Sequence, residues 1–194
     1  MFTVKNVENT IITNKSKFIT NMFSVDNLDE INYYLDLIKN KYKDATHHCY
    51  AYILDNTKRF NDDNEPSGTA GMPILDCLEK NNLNHVLCIV TRYFGGIKLG
   101  AGGLVRAYSN STSSAIKNTT IMELVSGYQV LIKFSYNKID EIDKILENYE
   151  IIEKNFDNEV SYITNIDEST KEKLENTTEL EIKKEIIIRR STSC

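Results

Sequence analysis

Seven of the eight glycines in this 194-residue chain lie between positions 68 and 103, and both prolines, Pro66 and Pro73, sit within or beside that stretch. Glycine admits positive φ and lets a second backbone or a ligand come close, while proline fixes φ. A chain that concentrates both so tightly has one segment of demanding geometry, Asp62 to Arg106. Inside it lies the strongest strand signal in the sequence, His85 to Phe94. Its core, Val86-Leu87-Cys88-Ile89-Val90, is continuously apolar, as expected of a strand covered on both faces.

Around this segment the spacing predicts regular elements. Phe2 to Val7 and Phe18 to Val25 read as a hairpin about the polar turn Thr13-Asn14-Lys15-Ser16. A helix follows, capped by Asp26 or Asn27, with Leu28, Ile31, Tyr34, Leu35, Ile38 and Tyr42 on one face. His48 to Leu54 is a strand, Asn61 to Gly71 a loop, and Ala70 to Lys80 a helix with Pro73 in its first turn. Gly95 to Gly103 is a turn, and Gly103 to Asn118 a helix with Leu104, Tyr108, Ser111, Thr112 and Ala115 on one side.

After Glu123 the pattern changes. Strands over Gly127–Tyr136, Glu150–Phe156, Val160–Ile166 and Glu181–Arg190 alternate with helices over Ile139–Tyr149 and Glu168–Asn176. The order β-α-β-β-α-β is that of the ferredoxin-like split unit. The expectation is a two-domain α+β chain, residues 1–123 and 127–194, with the boundary near 120–127.

Charge separates along the same line. Residues 1–125 hold 13 acidic and 13 basic side chains, so the whole net charge of −5 belongs to the remainder. The chain overall lacks the basic balance of a typical nucleic-acid binder, which leaves room only for a local patch. No apolar run approaches the length of a bilayer span, and Met1-Phe2-Thr3-Val4-Lys5-Asn6 does not read as a secretory signal. Cys49, Cys77, Cys88 and Cys194 form no C-x-x-C pair, which disfavours a zinc knuckle or thioredoxin-type site, and without a secretory signal reduced cytoplasmic thiols are expected, with Cys88 a small core residue.

The demanding segment has an acidic half and a basic half. In Asp62-Asp63-Asn64-Glu65-Pro66-Ser67-Gly68-Thr69-Ala70-Gly71, three carboxylates could bind a hard cation or serve as acid and base. The spacing is not that of an EF-hand, and an acidic turn capped by Ser67 or Thr69 suits the same residues. The second half runs from Arg92-Tyr93-Phe94-Gly95-Gly96 through Lys98 to Gly102, Gly103 and Arg106. A strand that leads through glycines into a helix start favours anions, phosphate or RNA backbone, with Arg92, Lys98 and Arg106 adding positive charge. It matches neither a Walker A loop nor G-x-G-x-x-G, and tight strand–helix packing would need the same glycines. Tyr93 and Phe94 face opposite sides of their strand, so one can be core and the other free for stacking. In His47-His48-Cys49 adjacent side chains point apart and cannot all ligate one metal. No cofactor or metal site is expected.

These motifs, with His48-Cys49-Tyr50-Ala51-Tyr52, Pro73, Leu104-Val105, Ala107-Tyr108 and Lys15-Ser16-Lys17-Phe18-Ile19, resemble the IMPACT family in its bacterial YigZ-type branch. The resemblance covers nearly the whole chain. It implies a first domain like domain IV of elongation factor G and a small-subunit ribosomal protein, and a ferredoxin-like second domain. Eukaryotic relatives regulate translation through the general-control kinase pathway by binding the kinase's activator. They do so with an additional N-terminal domain not found in this sequence, so that partner is not carried over.

The expectation is therefore a translation-associated binding protein whose Asp62–Arg106 segment makes a weak or transient contact with RNA, a ribosome or a translation factor. The alternative is an enzyme acting on a phosphate-containing or small peptide-like substrate through Asp62, Asp63 and Glu65. With no nucleophile beside an identifiable base, binding is preferred over catalysis, and no membrane partner is expected.

Overall fold

A computed structural model describes residues 1–191, which leaves Cys194 outside the described residues. The described chain divides into two α+β units, Met1–Met122 and Glu123–Arg190, with Ser191 grouped with the first.

The first unit is built on an antiparallel sheet. Its strands are β2 (Val7–Thr13), β3 (Ser16–Ser24), β4 (His47–Leu54), β5 (Thr57–Asn61) and β6 (Val86–Tyr93), and β1 (Phe2–Val4) precedes them. The order across the sheet is β2-β3-β6-β4-β5. The most apolar strand, β6, thus lies in the middle, paired with β3 from Lys17↔Tyr93 to Ser24↔Val86 and with β4 from His47↔Arg92 to Ile53↔Val86.

Both faces of β6 are covered, as its composition demands. Leu87 and Ile89 join Ile31 and Ile38 of α1 (Leu28–Lys41) on one side. Val86, Cys88 and Val90 join residues of α2 (Gly71–Lys80) and α3 (Gly100–Lys117) on the other, where Ile74, Leu78, Leu104, Ala107 and Tyr108 fill the core. Asn27 caps α1: its Oδ1 accepts the Glu30 N–H at 2.9 Å, and Glu30 Oε2 reaches back to accept the N–H of the preceding Asp26 at 2.9 Å.

Three elements of this unit differ from the sequence reading. The hairpin partner of β3 is β2, not Phe2–Val7, and the turn falls on Asn14 and Lys15, both at positive φ. β2 is half polar and alternates only between exposed and half-buried positions, so it carries weak hydrophobic periodicity. No side-chain pattern marks β5, all five of whose residues are exposed; backbone pairing with β4 from Leu54↔Thr57 to Tyr50↔Asn61 holds it at the sheet edge. α3 begins at Gly100, three residues ahead of Gly103, because its buried anchors Leu104, Ala107 and Tyr108 outweigh the low helix propensity of glycine.

The second unit has β7 (Ile121–Phe134), α4 (Ile139–Ile145), β8 (Ile151–Phe156), β9 (Val160–Asp167), α5 (Glu168–Glu175) and β10 (Glu179–Ser191). β10 pairs β7, β7 pairs β9 and β9 pairs β8, which is the ferredoxin-like strand order. Val130, Ile132, Phe134, Val160, Tyr162 and Ile166 pack one sheet face against Ile142 of α4, Leu146 at its C-cap and Leu174 of α5.

Candidate functional site

The acidic loop is tied to its own backbone. Asp62 Oδ1 accepts the N–H groups of Ala70 at 3.0 Å and Gly71 at 2.8 Å, and Oδ2 accepts that of Gly68 at 2.8 Å. One carboxylate thus satisfies donors at the entry to α2, where anions are favoured. Neither Ser67 nor Thr69 supplies that cap. The Thr69 hydroxyl donates to the Pro66 carbonyl at 2.6 Å, and Ser67 is exposed. Asp63 and Asn64 adopt positive φ, which turns the loop back onto β4. There Asp63 Oδ2 accepts the His48 N–H at 2.6 Å, and the Asp63 carbonyl accepts from His47 Nδ1 at 2.7 Å.

Glu65 points inward and is the junction of the two halves. Its Oε1 accepts from Arg92 Nη1 at 2.5 Å and from the Tyr108 hydroxyl at 2.8 Å, with His47 Nε2 3.8 Å away. Glu65, Arg92 and Tyr108 are all buried. Arg92 Nη2 reaches the Ser16 hydroxyl at 3.4 Å, and the guanidinium carbon lies 5.5 Å from the ring centres of both Phe18 and Phe94. Cys49 Sγ is 3.3 Å from the Tyr108 hydroxyl and 3.0 Å from the Asp62 carbonyl. Burial pushes the Cys49 thiol and the Tyr108 phenol well above their ordinary pKa values, with the neighbouring carboxylates adding to the shift. Both remain neutral hydrogen-bonding groups, and Cys49 has none of the thiolate character a nucleophile needs.

His48 lies on the opposite face of β4 from His47 and Cys49, as strand alternation requires. Its Nε2 meets the Tyr42 carbonyl at 3.1 Å, and burial lowers its pKa. Among the described residues no cluster of three or more His, Cys, Asp or Glu could hold a metal ion.

Beyond Arg92 the chain surfaces. The Tyr93 hydroxyl donates to Asp44 Oδ1 at 2.9 Å, and the Phe94 N–H donates to Thr46 Oγ1 at 3.0 Å. Gly95 N donates to Ser16 Oγ at 3.2 Å, and a Cβ at Gly95 would lie 2.0 Å from the Lys15 backbone carbon, so only glycine lets the β2–β3 turn approach. Gly96 needs glycine for another reason: its φ is +83° with open space around it. The first turn of α3 has no side-chain cap, and Gly100, Ala101 and Gly102 are exposed. Phe94, Ile97 and Val105, at 46%, 44% and 38% exposure, stand beside the exposed Lys98 and Arg106.

The structure therefore joins Glu65 to Arg92 and turns Asp62 and Asp63 toward backbone donors. It leaves Ser67, Gly68, Phe94, Gly96, Lys98, Gly102 and Arg106 at the surface, with Gly95 and Gly103 partly covered. The sequence reading missed the roles of His47, Cys49, Ser16 and Tyr108 around Glu65. Lys15, exposed beside Gly95, was also missed; its place depends on a contact eighty positions away.

Comparison with known proteins agrees with this architecture. The Impact N-terminal domain family matches residues 14–116. YvyE of Bacillus subtilis, an IMPACT family member, is 45% identical over 126 residues, covering 63% of this chain and 58% of that protein. An IMPACT family member of Haemophilus influenzae is 34% identical over 165 residues, covering 80% of this chain and 79% of that protein. YigZ of Escherichia coli is 32% identical over 137 residues, covering 68% and 67%. A crystal structure described as a hypothetical protein superposes with a TM-score of 0.63 at 26% identity, covering 92% of this chain and 95% of the other. The domain match spans the acidic loop, the buried Glu65–Arg92 junction and the glycine turn, and the Haemophilus influenzae relative covers 80% of the chain: the chain is a YigZ-type member of the IMPACT family.

Proposed function

We propose that this chain is a translation-associated regulatory protein of the cytoplasm that binds RNA, most readily on a ribosome, through the Asp62–Arg106 segment and without catalysis. The observation that carries the reading is the exposed surface where β6 gives way to α3. Phe94, Ile97 and Val105 lie open to solvent among Lys98, Arg106 and a first helical turn with exposed Gly100 and Gly102. A ring for a base to stack on, cations, and the backbone N–H groups of a helix's first turn are features that nucleic acids engage. Arg92, held by Glu65, supports this surface from beneath. Family membership adds the expectation of a role in translation that the resemblance carries.

Few cations and a net charge of −5 predict a modest affinity that falls with salt. The test is anisotropy of labelled RNA and sedimentation with small ribosomal subunits, at about 50 and about 200 mM salt. Lys98→Glu with Arg106→Glu should weaken binding about tenfold or more and flatten the salt slope. Absence of binding at either salt, or binding indifferent to both substitutions, overturns the proposal. The enzymatic alternative asks for carboxylates that the loop already uses. Asp62 and Asp63 accept backbone N–H groups, and Glu65 is bound to Arg92 and Tyr108.

A further inference from the structure

We infer that the RNA taken at this surface is single-stranded, with one base stacked on the open face of Phe94 and neighbouring phosphates held by Lys15 and Lys98; this rests on the RNA-binding reading above.

Three observations converge. First, Phe94 is backed by a cation. The Arg92 guanidinium carbon lies 5.5 Å from the Phe94 ring centre and 5.5 Å from that of Phe18, so the three groups form a column that starts in the core and ends at the surface. Glu65 holds the guanidinium at 2.5 Å, and Thr46 Oγ1 holds the Phe94 N–H at 3.0 Å. The backbone of Phe94 is thus anchored and its ring rests against a held cation, which lowers the entropic cost of binding. Yet it is 46% exposed.

Second, two glycines follow it. Gly95 and Gly96 add no side chains next to the ring, and nothing lies within 4 Å of where a Cβ at Gly96 would sit. A flat base can lie against such a ring whatever its identity, because every base offers a π-face.

Third, cations flank it in space and in sequence. The Lys15 backbone abuts Gly95, which brings the exposed Lys15 to the residue that follows the ring, and the exposed Lys98 comes three positions after Gly95. Asp44, an acid at this strand end, is occupied by the Tyr93 hydroxyl, and Glu65 is buried under Arg92. A duplex keeps its bases stacked on one another and could use only the cations, whereas an unpaired strand can use the ring as well.

The chain contains no tryptophan, so Phe94→Trp places a single indole reporter at the ring position. Anisotropy with an oligouridylate and with an RNA duplex of equal length gives affinities for wild type, Phe94→Ala and Phe94→Trp. Wild type should prefer the single strand. Phe94→Ala should lower that affinity about tenfold and leave the duplex unchanged. Phe94→Trp should keep it, and the single strand alone should quench its emission. Equal single-strand binding by Phe94→Ala, or indole emission in Phe94→Trp that ignores a saturating single strand, overturns this inference while the Lys98 and Arg106 effects keep the broader reading. If neither RNA binds wild type, both fall.

Discussion

Arg92 Nη1 and the Tyr108 hydroxyl converge on one oxygen of Glu65, at 2.5 and 2.8 Å, and so join a loop, a strand end and a helix at a single buried atom. Removing one member of a buried pair leaves the other charge uncompensated, which costs about 3–5 kcal/mol. Glu65→Ala should lower stability in urea by that amount. Replacing both partners with apolar residues, Glu65→Leu with Arg92→Met, should cost clearly less than the two single changes together. Additive losses would show that the pair is not coupled.

Gly95 and Gly96 are adjacent but are required for different reasons, and substitutions should separate them. Alanine at Gly95 drives a methyl into the Lys15 backbone, a steric cost of about 1–3 kcal/mol that asparagine cannot relieve. Alanine at Gly96 meets open space but an unfavourable φ, at about 1–2 kcal/mol, and Gly96→Asn should recover part of it. Thermal unfolding of the four variants reads the difference; rescue by asparagine at both positions would contradict it.

Thiol reactivity checks the buried junction directly. Cys49, Cys77 and Cys88 are buried, and burial raises the pKa of Cys49 and Cys88. In a Cys194→Ser protein, Ellman's reagent at pH 8 should find almost no reactive thiol until denaturant is added. Rapid labelling of Cys49 in the native protein would mean that the Glu65 junction opens readily.

The second unit has its own acid-sensitive point. Asp167 Oδ1 accepts the Thr170 N–H and the Ser169 hydroxyl, both at 2.9 Å, while Arg190 pairs with its other oxygen. Burial alone would raise its pKa, but these hydrogen bonds prevail and hold the carboxyl well below the usual range. A depressed folded pKa means full stabilisation above the unfolded value, about 3.9, and progressive loss as pH falls through the folded one. Asp167→Ala should cost about 1 kcal/mol at neutral pH as a lost cap. The gap between wild type and variant should narrow below about pH 4. A gap constant across the acid range would refute the assignment.

What the sequence made legible follows from locality. The apolar run Val86–Val90 announced a strand buried on both faces, and Asn27, one of two candidate caps, and the buried Ile31 and Ile38 of α1 were readable from local spacing, although Leu28, expected on the same face, is exposed. β5 was hidden because its place depends on backbone pairing rather than on side-chain pattern. At the candidate site the acidic and basic halves were visible, but their union was not: Glu65 and Arg92 are 27 positions apart, and no short-range spacing encodes that pair. The same limit hid Asp62 as the acceptor for the start of α2, six to nine residues ahead of the amides it serves.

The place of β6 between β3 and β4 has a consequence for synthesis. β3 and β4 are finished by Leu54, yet neither has its central neighbour until Val86 to Tyr93 has been made. A nascent chain emerging N-terminus first holds two unfilled strand edges through the production of more than thirty further residues. Hydrogen bonding across the middle of this sheet therefore waits for a strand made after both of its partners, and order of manufacture and order of assembly part company at the centre of the domain.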